Sequence, residues 1–186
     1  NPPVVNSFLG IRLSYVNESW HVDSLFIQND LQAIVFAHSR MITEDLVTYL
    51  KEEIEKAIKD EGLIRGYRGG YLPLKRREIE KGLREGKIKG VVSTNALELG
   101  IDIGSLDVAV LASYPGTIAS TWQRAGRAGR KTGKSAAVLV ASSSPLDQFI
   151  INHPDYFFLK SPERALINPD NLSILVSHIE CAAFEL

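Results

Sequence analysis

The residues best suited to chemistry lie in one short run, Gln123-Arg124-Ala125-Gly126-Arg127-Ala128-Gly129-Arg130. On a helix, residues three apart share a face, so Arg124, Arg127 and Arg130 would form a single row of guanidinium groups. Only Ala and Gly separate them, which lets another surface come close. Guanidinium groups fork onto phosphate oxygens or carboxylates and stay charged at physiological pH. Two glycines would destabilise a helix by about 2 kcal/mol relative to alanine, and a solvated helix with no partner has no reason to carry them. A second candidate is Thr94-Asn95, at the end of the apolar run Gly90 to Thr94. There a hydroxyl, an amide and local backbone N–H groups can meet a phosphate. Gly69-Gly70, behind Arg68, would let main chain approach a strand without side-chain clash. Ser39 and Arg40 follow another apolar run, where a binding loop is expected.

The distribution of charge points the same way. The 186 residues carry a net charge of −1, but nine Lys or Arg fall between Arg65 and Lys89 against three Glu (Glu78, Glu80, Glu85). Five more (Arg124, Arg127, Arg130, Lys131, Lys134) lie between Trp122 and Ser135 with no acid among them. Leu13 to Ile64 holds ten acids. Such sorting fits a face that binds a polyanion.

Other chemistries are excluded. Gly133-Lys134-Ser135 imitates the end of a phosphate-binding loop, but that motif needs a glycine where Ala128 stands, and the segment leads into a strand rather than a helix. Asp60-Glu61 ends a helix, so it is no magnesium-binding acidic pair at a strand end. His21, His38, His153 and His178 are scattered, and no metal-ligand set or nucleophile–base pair emerges. The single cysteine, Cys181, rules out an internal disulfide and reads as a core residue on an apolar helix face. No run nears the roughly 20 apolar residues of a membrane helix. The start, Asn1-Pro2-Pro3-Val4-Val5, has neither Met nor the features of a signal peptide, so an excised fragment of a reducing, intracellular protein is expected.

The elements that must position these residues alternate along the chain. Apolar runs at Gln32–His38, Leu63–Tyr67, Gly90–Thr94, Asp107–Ala112 and Ser135–Ala141 predict strands. Helices are predicted over Met41–Ile58, from Pro73 to near Gly86 and around Ile118–Ala128, with a leading helix over Ser14–Asn29. Alternation of this kind gives an α/β fold, a parallel sheet between helix layers, with ligands gathered beyond the carboxyl ends of the strands. Three segments follow: residues 1–24, a linker with the start of the leading helix; 25–143, the α/β domain; and 144–186, a helical extension whose starts at Ser144-Pro145 and Asn168-Pro169 look capped. That extension is expected to pack on the sheet or on another part of the protein.

QRAGRAGR resembles motif VI of superfamily 2 helicases, which have two RecA-like domains. Ile34-Val35-Phe36-Ala37-His38-Ser39-Arg40 resembles motif IV, Tyr67-Arg68-Gly69-Gly70-Tyr71-Leu72-Pro73 motif IVa, and the run from Val91 to Ile103 (VVSTNALELGIDI) motif V. The four stand in the order of a second RecA-like domain. That resemblance implies Arg127 and Arg130 as arginine fingers, and Gln123, Gly100 and Asp102 beside the nucleotide. It implies Ser39, Arg40, Arg68, Gly69, Gly70, Thr94 and Asn95 along a nucleic-acid strand. ATP with Mg²⁺ would be held mainly by an N-terminal RecA-like domain outside this chain. The fragment alone should therefore hydrolyse essentially nothing. Arg68–Pro73, Asn95–Ile103 and Tyr114–Trp122, with Asn168–Asn171 and Cys181–Leu186, are further similar to the DNA-repair branch that includes the mitomycin repair factor A type. This branch implies single-stranded or forked DNA, 3′-to-5′ movement and a cytoplasmic or nucleoid-associated setting. A non-unwinding translocase, an RNA helicase and a binding module without ATPase remain open. The reading requires Arg127 and Arg130 to face a cleft shared with another domain.

Overall fold

The computed structural model describes residues 24, 26–60, 62–104, 106–129, 135–163, 168 and 170–185. The linker and most of the leading helix lie outside them; Ser24 and residues 26–28 are helical. Five parallel strands, β1 (Ala33–Phe36), β2 (Ile64–Tyr67), β3 (Gly90–Ser93), β4 (Val108–Ala112) and β5 (Ala136–Val140), form one sheet in the order β2-β3-β1-β4-β5. The central strands read as unbroken apolar runs because helices cover both of their faces. Every residue of β1, β3 and β4 is buried.

The alternation of side chains along each strand divides the core. Val35, Val92 and Val110 face α1 (Arg40–Ile58), which presents Leu46, Leu50 and Ile54 at helical spacing. Ile34, Phe36, Val91 and Ala109 face the other way, onto Ile79 and Leu83 of α2 (Pro73–Arg84) and onto Leu97 and Ile103 of the segment after β3. Helix α3 (Ile118–Ala125) joins this second layer, its Arg124 guanidinium 5.4 Å from the Phe36 ring centroid. Gln32 knits the layers at the base of the sheet: its amide donates to the carbonyls of Leu83 (2.9 Å) and Ile88 (2.8 Å).

After β5 come α4 (Pro145–Asn152), α5 (Pro154–Leu159) and α6 (Leu172–Glu185). Ile150 and Phe157 pack with Tyr114 and Ile118, so α4 and α5 lie against the start of α3. By contrast, α6 buries none of its residues. Of the two settings expected for that part of the extension, packing on the sheet is not what forms, and Cys181 is exposed rather than core.

Candidate nucleic-acid interface and nucleotide cleft

Three segments carrying candidate strand-binding residues leave adjacent strands at one level. The register pairs Phe36 with Ser93 and Ser93 with Tyr67, so the chain emerges from β1, β3 and β2 side by side. After β1, the Ser39 hydroxyl accepts from the Ile42 N–H at 3.2 Å and starts α1, while Arg40 is exposed on the first turn. After β2, Arg68 Nε lies 3.4 Å from the Glu44 carboxylate without hydrogen-bond alignment, and its guanidinium sits 5.2 Å from the Tyr71 ring centroid. Gly69 and Gly70 follow, both exposed; a Cβ on either would touch nothing. This domain's own packing therefore gives no reason for glycine there. After β3, Thr94 precedes a 3-10 turn, Asn95–Leu97, and its hydroxyl makes no capping bond. Asn95 is exposed.

The Arg68 loop is held from beneath. Tyr67 is fully buried; its hydroxyl donates to Glu80 (2.7 Å) and accepts from Arg76 Nε (3.1 Å), both on α2. Burial, aided by the Glu80 carboxylate, pushes the Tyr67 pKa above its ordinary value, so the phenol remains a donor at neutral pH.

The residues expected at a nucleotide gather elsewhere. Gly100, Asp102, Gln123 and Arg127 line one cleft of about 470 Å³ together with Glu98, Leu99, Ile101, Trp122 and Gly126. Gln123 is exposed. Asp102 is exposed too, but its carboxylate accepts from the Gly104 N–H (3.1 Å) and its carbonyl from Arg84 (2.6 Å), so it also shapes its own loop.

Here the structure corrects three expectations. The run through Arg130 is not one helix: α3 stops at Ala125, and the chain then pairs with Leu106, just before β4. Second, its glycines have local reasons. A Cβ at Gly126 would press to 3.1 Å from the Trp122 carbonyl, and Gly129 has φ +90°, with Ser135 Oγ 2.5 Å from the Cβ position. Third, the arginines do not form an outward row. Arg124 and Arg127 converge, but on Glu98. Arg124 Nε pairs with its carboxylate at 3.0 Å, and Arg127 Nε (3.1 Å) and Nη2 (2.7 Å) donate to its carbonyl. Arg127 Nη1 also donates to the Ile101 carbonyl at 2.8 Å, leaving the residue 5% exposed at the cleft wall. Arg130 lies outside the described residues.

Sequence reasoning missed the residues that organise this arrangement. Glu98 is an acid inside an apolar motif run, and its only signal was that incongruity. Asp147, 2% exposed, accepts from the Ser113 hydroxyl, the Tyr114 N–H (3.1 Å) and the Ser142 N–H (2.7 Å). Burial works against its charge, but the hydrogen bonds from Ser113, Ser142 and Tyr114 outweigh it and hold the carboxyl below its ordinary pKa. It thereby fixes the turn from β4, where Ser113 has φ +81°, into the loop that starts α3. Glu163 accepts from the N–H groups of Ala119 (3.0 Å) and Ile118 (2.8 Å), and these donors lower its pKa. An anion at the first turn of a helix is also favoured by the positive end of the helix dipole.

A parallel five-stranded sheet with these motif loops is the RecA-like fold of helicase C-terminal domains. Residues 19–132 match the helicase conserved C-terminal domain family, and the chain belongs to it. It is 57% identical over 186 residues to the uncharacterized ATP-dependent helicase YprA of Bacillus subtilis (strain 168), covering 100% of this chain and 25% of that protein. With the ATP-dependent helicase HRQ1 of Saccharomyces cerevisiae it shares 36% identity over 192 residues, covering 100% of this chain and 18% of the relative. The crystal structure of the DUF1998 helicase MrfA bound to DNA and AMPPNP superposes with a TM-score of 0.87 at 56% identity, covering 100% of this chain and 26% of that one. The chain thus spans about a quarter or less of the length of these relatives.

Proposed function

We propose that this chain is the second motor domain of an ATP-dependent DNA helicase that moves 3′-to-5′ on single-stranded or forked DNA and serves DNA repair in the cytoplasm or nucleoid. The observation that carries it is the pairing of two sites within one domain: Thr94, Asn95 and the Arg68–Gly70 loop at adjacent strand ends, and Gly100, Asp102, Gln123 and Arg127 on a cleft reached by the same segment after β3. MrfA, the relative at 56% identity, is a helicase crystallised with both DNA and AMPPNP, which supports assigning one site to each ligand.

In this account the first RecA-like domain holds ATP and Mg²⁺. Among the described residues no three His, Cys, Asp or Glu side chains converge to hold a metal. This chain contributes Gln123 and Asp102 beside the nucleotide, and Arg127 with Arg130 to neutralise charge developing on the transferred phosphoryl group. Arg127 must leave the Glu98 and Ile101 carbonyls to do so. Phosphate oxygens make charge-assisted bonds to guanidinium that are stronger than those to neutral carbonyls, so the exchange is favourable once the domains close. The strand backbone is gripped by Thr94, Asn95, Ser39, Arg40 and the Arg68–Gly70 loop, and closure shifts these along it.

The test uses the full-length protein on DNA and RNA forks. ATP-dependent strand displacement on DNA, with a 3′ single-stranded tail required, is the expected result. Displacement only on RNA, or ATP hydrolysis without displacement, would replace the proposal with an RNA helicase or a translocase.

A further inference from the structure

We propose that Glu98 is the positioning residue that couples strand engagement at Thr94-Asn95 to release of Arg127; this rests on the motor reading above. Glu98 uses three parts of itself on three elements. Its N–H donates to the Asn95 carbonyl at 3.0 Å, closing the turn that presents Asn95. Its carbonyl accepts twice from Arg127, at 2.7 and 3.1 Å. Its carboxylate accepts from the Ser120 hydroxyl (2.6 Å) and from Arg124 Nε (3.0 Å), both on α3.

The consequence is mechanical. The five N–H donors of a guanidinium lie on Nε, Nη1 and Nη2, and each of those nitrogens of Arg127 donates to a carbonyl of this one segment. While the turn keeps this shape, Arg127 is stowed. A strand phosphate drawn onto Thr94 and Asn95 moves the turn that ends at Glu98, and with it the carbonyl that holds the finger. The Glu98 and Arg124 side chains are only 13% and 10% exposed, so their ion pair is shielded from solvent screening and ties the turn to α3. Movement in the turn is then passed to the helix that leads into Arg127 instead of being absorbed by a loose loop.

The experiment compares ATP turnover by the full-length protein with and without saturating single-stranded oligonucleotide. Glu98→Gln keeps the size and one acceptor oxygen but removes the charge. The stimulated-to-basal ratio should fall about tenfold, within the range typical of site-to-site coupling, while oligonucleotide affinity is retained. An unchanged ratio overturns the proposal. So does an equal fall in both rates with a lowered unfolding temperature, because a purely structural residue would behave that way. If Glu98→Gln does not fold, Ser120→Ala decides: it deletes one bond to the carboxylate, should lower the ratio by a smaller factor, and overturns the proposal if the ratio stays put. A wild-type protein whose turnover ignores the strand overturns the motor reading itself.

Discussion

Replacing Asp147 tests how α3 is aimed at the cleft. The side chain is 2% exposed and takes hydrogen bonds from the Ser113 hydroxyl and from the N–H groups of Tyr114 and Ser142. Truncation to Ala strands these donors beside an apolar cluster of Tyr114, Ile118, Ile150 and Phe157. Hydrogen bonds to a charged acceptor contribute about 1.5–3 kcal/mol each, and partial access of water to Ser113 and Ser142 lowers the sum, so Asp147→Ala should destabilise by about 3–5 kcal/mol. Asp147→Asn keeps an acceptor but turns an amide toward one donor, for about 1–3 kcal/mol. The folded-state pKa is depressed below the unfolded value of about 3.9, so the unfolded chain binds the proton more tightly. The stabilisation is therefore complete above pH of about 4 and is lost as pH falls through the folded value. Urea unfolding of wild type and Asp147→Asn from pH 7 downward should show a gap that narrows only below pH of about 4. A gap under about 0.5 kcal/mol at pH 7, within the scatter of ordinary surface substitutions, would refute the reasoning, as would a gap that ignores pH.

Two further substitutions separate ligand-driven from fold-driven glycines. Gly70→Ala meets open space at a φ outside the left-handed region, so urea unfolding should show stability unchanged or raised by about 0.4–1 kcal/mol. Fluorescence anisotropy of the full-length variant should meanwhile show weaker binding to labelled single-stranded DNA; undiminished affinity would remove the loop from the strand track. Gly129→Ala should do the opposite, losing about 1–3 kcal/mol of stability, because φ is +90° and the new methyl would meet Ser135 Oγ. Wild-type stability in that variant would contradict the turn beside Leu106.

What the sequence made legible was whatever depends on local pattern. The strands at Ala33–Phe36, Gly90–Ser93 and Val108–Ala112 show themselves as apolar runs because both of their faces are covered. Pro73 marks the first residue of α2 for the reason that its missing N–H needs no partner there. The resemblance of the motifs grouped Gly100, Asp102, Gln123, Arg127 and Arg130, and the structure puts the first four on one cleft, Arg130 lying outside the described residues. Illegible were contacts between residues far apart in the chain. Nothing local to Arg127 announces that carbonyls 29 and 26 residues earlier will hold it, and an all-helical run from Ile118 to Ala128 was the simplest reading of its alanines. Gly126 and Gly129 looked like concessions to a ligand but have local reasons in the turn that follows α3. Helix α6 is apolar enough to read as packed, yet its side chains are exposed in the described domain, because hydropathy alone does not say which surface a face meets.

The most direct test of the account is ATP turnover by full-length Arg127→Ala in the presence of saturating single-stranded DNA. Arginine fingers accelerate phosphoryl transfer by about 10³–10⁵, so turnover should fall by about three orders of magnitude or more while the variant still binds the oligonucleotide. Turnover near the wild-type rate would mean that Arg127 does no more than brace the Glu98–Ile101 carbonyls, and that the cleft it lines does not deliver charge to a nucleotide.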